Sequence, residues 1–409
     1  MFRKDVNKVI LEEDVAVGNR SYYPMEILQQ EQLLRIQHLQ RECQGKQSEL
    51  FGLSTEKWAY GRIEVSQRHN YMYCPLLKVG STFFRRLFYA MNLGKKVRSP
   101  YDIAIQRALN GKRDVLSKMT SFLSHRFLKT MNPASIMFVR EPFSRLLSGY
   151  TDKLFAPNPY FWQEIGVHIV TTIRHNYTTP PPKSKKICAH DVTFSEFIKY
   201  VIDAERTDSD KRDAHFTPTY DQCKPCSLNY TVIGKMDSFL PDVAYTLEQL
   251  GNPVSKETLK IWAKQATADA IDDSTYSPFG WKRGIRKCMT WEQALKRIWR
   301  KLQIRGIILF SDTFPWSGND TSSVTLKHFQ NTVKVLHSKS DKNLLKQQKL
   351  DVLAEAYSTV SEEDIRSILE LFMPDFTLFQ YNPKPDFIFD DDNVKRFRGR
   401  DFVFNLDSV

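Results

Sequence analysis

No uncharged apolar run among the 409 residues approaches the roughly 18 needed to cross a bilayer. The opening Met1-Phe-Arg-Lys-Asp-Val-Asn-Lys8 is charged and has no signal-peptide apolar region. As read, the chain is expected to be soluble and to carry no address. Repeats at the spacing of solenoid units are missing, and the 16 glycines and 19 prolines are too few for a collagen-like chain. The phosphate-loop pattern G-x-x-x-x-G-K-[ST] is also absent, which demotes an ordinary nucleoside triphosphatase.

The sequence does have core-forming material, 41% hydrophobic and 12% aromatic residues, which excludes wholesale disorder and allows one large core or two modest ones. The net charge of +12 favours anionic partners: nucleic acid, acidic lipid, sulfated or uronic-acid glycans, or a nucleotide. Solubility alone is the plainer account of the same charge. Asn-x-Ser/Thr sequons at Asn19, Asn176, Asn229 and Asn319, together with six cysteines, fit a secretory compartment better than the cytosol.

Residues 1 to about 68 are polar and read as a stem, with Ile27, Leu28, Leu33, Leu34, Ile36 and Leu39 near helical spacing between Met25 and Cys43. From Asn70 the texture changes. Tyr71–Cys74 predicts a strand, Pro75–Gly80 a loop and Thr82–Met91 a helix opened by Ser81. A second such unit follows: strand Ser135–Val139, turn Arg140–Pro142 and helix Phe143–Leu154 with proline in its first turn. Residues 156–192 read as a surface excursion, with proline clusters and a Lys183–Lys186 patch that either grips an acidic acceptor or is solvated surface. Thr193-Phe-Ser-Glu196 is a capping box for a helix to Ala204, Tyr230–Ile233 a strand, and Leu240–Leu250 a helix. The basic, Trp-rich stretch from about 255 to 340 has helical texture and no assignable motif, so it reads as an insertion. A last helix spans Ser361 to about Phe372, an aromatic stretch Phe376–Phe389 follows, and 391–409 reads as a tail.

Two segments carry chemistry. Cys74-Pro-Leu-Leu-Lys-Val-Gly-Ser-Thr82 leads a strand through a Lys/Gly/Ser/Thr loop into a helix N-terminus, where free N–H groups and the helix dipole favour a phosphate. Arg140 stands at the carboxyl end of the second strand, where open parallel sheets bind ligands, and its planar fork suits phosphate; Ser144 and Ser148 lie one turn apart on the helix beyond. Arg145, on the same helix, reads more readily as a solvated arginine than as a ligand contact. Cys223-Lys-Pro-Cys226 is either half of a zinc site with Cys188 and His190, or part of a disulfide set whose pairing sequence does not fix.

The pair CPLLKVGSTFFRR and FVREPFSRLLSGYTDKL resembles the two nucleotide motifs of Golgi carbohydrate sulfotransferases of the chondroitin/dermatan and N-acetylgalactosamine 4-O-sulfotransferase type. A third block, His215-Phe-Thr-Pro to Cys226 and then Tyr230–Asp237, is similar to that family's H-W-x-P…C-x-P-C…Y-D-x-I-G-K-x-E, and Asp375–Tyr381 to its closing D-F-x-L-F-x-Y. Five departures stand out: Leu77 for Pro, Phe83-Phe84 for Asn-Trp, Glu141 for Asp, Gly149 for Ala and Phe216 for Trp.

The resemblance implies an α/β fold, a central parallel sheet flanked by helices as in P-loop-like sulfotransferases, over about residues 69–390. It implies that Lys78, Val79, Gly80, Ser81 and Thr82 hold the 5′-phosphosulfate end of 3′-phosphoadenosine 5′-phosphosulfate, and that Arg140 and Ser148 hold its 3′-phosphate. Lys78 is the natural cation for the leaving oxygen. His215 is the candidate general base, with Asp213 two residues before it placed to orient the ring, while His168 and His190 lie outside the matched blocks. No metal is expected, and the implied acceptor is a glycan or glycosaminoglycan rather than nucleic acid. Family members are type II Golgi membrane proteins, so an anchor is expected that this sequence does not contain. Two rival readings remain: a glycan-binding protein that has lost turnover, and a phosphoryl-transfer enzyme with a degenerate phosphate loop.

Overall fold

A computed structural model describes residues 24–45, 62–93, 98–111, 114–115, 128, 130–175, 188–208, 210–407 and 409. The Lys183–Lys186 patch, the prolines at 180–182 and the sequons at Asn19 and Asn176 lie outside the described residues. Asn229 and Asn319 are exposed.

Five strands form one mixed sheet in the order β3-β1-β2-β4-β5, with β1 Glu64–Ser66, β2 Tyr71–Cys74, β3 Asp114–Val115, β4 Ala134–Val139 and β5 Val232–Lys235. The expected parallel sheet is its central part: β4 runs parallel to β2, Tyr73 opposite Ile136, and to β5, Phe138 opposite Gly234. Beyond β2 the sheet continues antiparallel through β1 and β3. Every residue of β2, and Ser135 to Val139 of β4, is buried, as strands covered on both faces require.

Helix α2, Ser81–Asn92, covers one part of this sheet through an aromatic ladder. The Phe84 ring lies 4.3 Å from Phe138, and Phe88 stacks on Tyr71 at 4.4 Å. The family's Asn-Trp pair is thus replaced by two packing rings, Phe83 and Phe84, both buried. Helix α3, Pro142–Tyr150, follows β4 and is capped by Glu141, whose carboxylate accepts the N–H groups of Phe143 and Ser144. The helix then widens to π geometry over Thr151–Phe155, where the Ala156 N–H reaches back to the Thr151 carbonyl.

Within the stretch read as a stem, helix α1, Met25–Gly45, lies against β5. Arg35 reaches both oxygens of Asp242 at 2.9 Å, and the Gln32 side chain accepts the Ile233 N–H. The remaining long helices are α4 Phe194–Arg206, α5 Phe239–Gln249, α6 Lys256–Gly280, α7 Trp291–Ile304, α8 Leu326–Lys339, α9 Lys342–Ser358 and α10 Glu362–Leu378. Helices α6 to α8 fill the stretch read as a motif-free insertion. They enclose a third apolar core around Trp299, Ile298 and Phe329.

All six cysteines form disulfides, Cys43–Cys226, Cys74–Cys223 and Cys188–Cys288. The two cysteines of Cys223-Lys-Pro-Cys226 therefore serve different partners, which removes the zinc reading. Among the described residues, no group of three or more His, Cys, Asp or Glu side chains is placed to hold a metal, and no helix is long and apolar enough to cross a membrane.

Candidate active site

The two strand–loop–helix units stand side by side because β2 and β4 are parallel neighbours, so both loops leave the same edge of the sheet. In the first loop Lys78 and Gly80 both adopt left-handed backbone, φ 69° and 78°. Only Gly80 is free of a Cβ cost, and a Cβ there would sit 2.9 Å from the Phe239 ring. The second loop approaches the first directly, Arg140 Nη1 lying 3.4 Å from the Lys78 carbonyl.

Between them opens a cavity of about 510 Å³. Lys78, Arg140, Ser144 and Ser148 all line it, so residues from both sequence motifs meet in one hollow. Val79 is buried in the core, and Gly80, Ser81 and Thr82 continue from the loop into α2 without lining the hollow.

The wall carries six basic side chains, Lys78, Arg140, Lys301, Arg305, Lys346 and Lys349, against four acidic ones, Glu141, Asp152, Asp237 and Asp273. Glu141 is engaged in capping α3. Asp152 is shared by three ammonium groups: Lys78 at 2.9 Å, Lys301 at 2.7 Å and Lys153 at 3.3 Å. These neighbours hold its carboxyl well below the usual carboxylate range despite its burial. Among the described residues, Arg140, Arg305, Lys346 and Lys349 have no carboxylate within ion-pair distance. Such a hollow attracts a compact, multiply charged anion. Burial pushes the Lys78 amine down to about 8, with Asp152 pulling it back up.

His215 lies close enough to Lys78 and Lys153 to feel both charges. Its Nδ1 is 2.5 Å from Asp213 Oδ1, and the His215 backbone N–H donates to the same oxygen at 2.8 Å. Asp213 therefore fixes the ring as the spacing predicted. The ring meets Phe161 edge-on at 5.3 Å, and Lys153 sits over that phenyl at 4.9 Å. Burial, helped by the two lysines and opposed by the Asp213 hydrogen bond, keeps the imidazole below its ordinary value. His168 and His190 instead pack against Tyr200 and Trp162.

Arg145 is not a solvated arginine. It is 1% exposed and donates to the carbonyls of Leu77, Thr217 and Ala214. Asp152 and the four cations of α7–α9 and the turn between them, Lys301, Arg305, Lys346 and Lys349, were not singled out by the sequence. Asp152 lies inside the second matched block. The others sit on or just after helices without a motif, where no sequence signal set them apart.

The sulfotransferase family matches residues 61–277, just over half of the chain. Carbohydrate sulfotransferase 14 of Danio rerio is 29% identical over 221 residues, 51% of this chain and 54% of that protein. Human carbohydrate sulfotransferase 9 is 31% identical over 193 residues, 47% of this chain and 41% of that one, and Xenopus laevis carbohydrate sulfotransferase 12 is 26% identical over 285 residues, 64% and 66%. The matched region thus spans between about two fifths and two thirds of these relatives' lengths. No solved structure matches the chain significantly. Both strand–loop–helix motifs and the His215 block fall inside the matched region, and by that match the chain belongs to the sulfotransferase family.

Proposed function

We propose that the protein transfers a sulfuryl group from 3′-phosphoadenosine 5′-phosphosulfate to a hydroxyl of a glycan, of the chondroitin/dermatan or N-acetylgalactosamine type, and that it works in the Golgi. The observation that carries this reading is the meeting of Lys78, Arg140 and Ser148 on one cationic cavity. Its excess of basic groups fits a donor with charge at both its 3′-phosphate and its 5′-phosphosulfate.

In this reading Arg140 and Ser148 bind the 3′-phosphate, and Lys78, carried on the loop that runs to Thr82, faces the phosphosulfate. Sulfuryl transfer is an in-line displacement in which charge builds on the bridging oxygen, so position and counter-charge supply most of the acceleration. The Lys78 ammonium meets that oxygen. The bond from sulfur to the 5′-phosphate oxygen breaks as a bond from sulfur to the sugar oxygen forms. Neutral His215, oriented by Asp213, accepts the sugar hydroxyl proton on its free ring nitrogen. The products are 3′-phosphoadenosine 5′-phosphate, the sulfated sugar and a protonated imidazole.

Incubation with radiolabelled sulfate donor and a panel of desulfated glycans tests this directly. Label is expected on at least one acceptor, Lys78→Ala and His215→Ala are expected to abolish transfer, and Arg140→Ala to weaken donor binding. Normal transfer by Lys78→Ala overturns the leaving-group role. Donor and glycan binding without transfer by the unmodified protein favours a binding protein, and preference for adenosine triphosphate with magnesium favours phosphoryl transfer.

A further inference from the structure

The floor of the cavity holds an arrangement that the proposed chemistry leaves unexplained. Three ammonium groups share the single carboxylate of Asp152, and one of them, Lys301, comes from α7, outside the residues that the family matches. The Lys301 side chain is 4% exposed, and Asp152 is its only carboxylate within ion-pair distance among the described residues. Gathering one buried and two part-buried cations on one anion is costly to a fold, and apolar side chains would fill the same space at no such cost. The carboxylate stands on the π-helical turn after α3, a geometry that recurs at functional sites.

We infer that Asp152 and Lys301 form a positioning pair for Lys78: Asp152 holds the Lys78 ammonium at the cavity floor until donor arrives, and Lys301 keeps Asp152 in place when Lys78 turns to the donor. The two oxygens divide the work. Oδ2 receives Lys78 at 2.9 Å, while Oδ1 receives Lys301 at 2.7 Å, so the carboxylate stays anchored after Lys78 leaves. This assignment rests on the sulfuryl-transfer reading for its purpose, but not for its test.

The charged groups near enough to shift Lys78 are Asp152, Lys153 and Arg305, and His215, which does not line the hollow, feels the charge of Lys78 in turn. Lys301 stands behind Asp152, and Glu141, Asp237 and Asp273 line the same hollow. Neutralising Asp152 removes the attraction that keeps Lys78 protonated. Neutralising Lys301 removes a repelling charge and leaves Asp152 to Lys78 more fully. The two changes therefore move the Lys78 titration in opposite directions, which loss of packing alone would not do.

The test is nuclear magnetic resonance titration of the full chain with ¹³C-dimethylated lysines, the Lys78 signal assigned by its loss in Lys78→Gln. Asp152→Asn is expected to lower the Lys78 midpoint and Lys301→Gln to raise it, each by about 1 pH unit or more, the size of one close charge. Lys301→Arg is expected to keep the wild-type midpoint. If Asp152→Asn does not fold, Lys301→Gln against Lys301→Arg decides. An unchanged midpoint in Lys301→Gln, or movement of both neutralised variants in the same direction, overturns the positioning pair. Opposite shifts in a protein that transfers no sulfate would sink the functional reading and leave the pair standing.

Discussion

Arg145 Nε donates to the Leu77 carbonyl at 3.2 Å from inside helix α3, while its two terminal nitrogens reach the carbonyls of Thr217 and Ala214. One guanidinium thereby ties the residue before Lys78 to the residues flanking His215. It holds together the Lys78 loop and the His215 turn without lining the cavity. Burial lowers its affinity for the proton to about 10, so it stays charged at neutral pH.

Removing this tie takes a charged donor from three carbonyls, of which, among the described residues, Ala214 and Thr217 keep only the Gln222 amide. Arg145→Ala is expected to lower stability by about 3 kcal/mol or more, since each hydrogen bond to a charged group is worth roughly 1.5–3 kcal/mol. Arg145→Lys keeps the charge but not the fork, and is expected to recover only part of the loss. Urea denaturation midpoints measure both, and a wild-type midpoint in Arg145→Ala would refute the tie.

Gly80 limits the loop in another way. Its φ of 78° is unfavourable for any residue with a Cβ, and the added carbon would press on the Phe239 ring. The left-handed backbone alone costs about 1–2 kcal/mol. If the loop relaxes to avoid this, the donor site shifts with it. Gly80→Ala is expected to weaken binding of 3′-phosphoadenosine 5′-phosphate about tenfold, the equivalent of ~1.4 kcal/mol. Calorimetry gives the comparison, and unchanged affinity would mean that the loop's backbone geometry does not matter to the ligand.

The Cys74–Cys223 disulfide fastens the end of β2, where the Lys78 loop begins, to the chain just beyond the His215 turn. The cysteines are 149 positions apart, so the bond removes much freedom from the unfolded chain. Replacing both by serine is expected to cost about 2–5 kcal/mol by denaturant titration. Non-reducing peptide mapping of the native protein should recover this pair, and recovery of Cys223 joined to Cys226 would contradict the arrangement.

What the sequence revealed and what it hid follow one physical line. Both strand–loop–helix units were legible because each is local: the apolar run Tyr71–Cys74, the Gly80 turn and the amphipathic helix beyond lie within about two dozen residues. Asp213 beside His215 was legible for the same reason. The β1 and β3 strands, three and two residues long, are too short to carry an alternation, so the antiparallel side of the sheet was not foreseen. Arg145 and Lys301 were misjudged or overlooked because their partners are remote. Lys301 meets Asp152 across 149 positions, and nothing near it in the chain distinguishes it from a solvated lysine.

The pH dependence of turnover brings the site's two titrating groups to one experiment. In the proposed reaction His215 is neutral when it accepts a proton, so kcat/KM is expected to rise with pH through its midpoint, which burial and the nearby lysines place below the usual histidine value. In the same reading Lys78 meets the leaving oxygen as an ammonium, so the rate is expected to fall as it loses its proton near 8. A bell with a plateau between these limits is the expected profile. The alkaline limb has a second claimant, because burial and Arg35 also bring Lys235 down to about 8. Arginine keeps its proton throughout this range, so the two are separable. In Lys78→Arg the alkaline limb should move out of range at reduced kcat, and in Lys235→Arg it should stay near 8. The reverse outcome would transfer the leaving-group role from Lys78 to another cation.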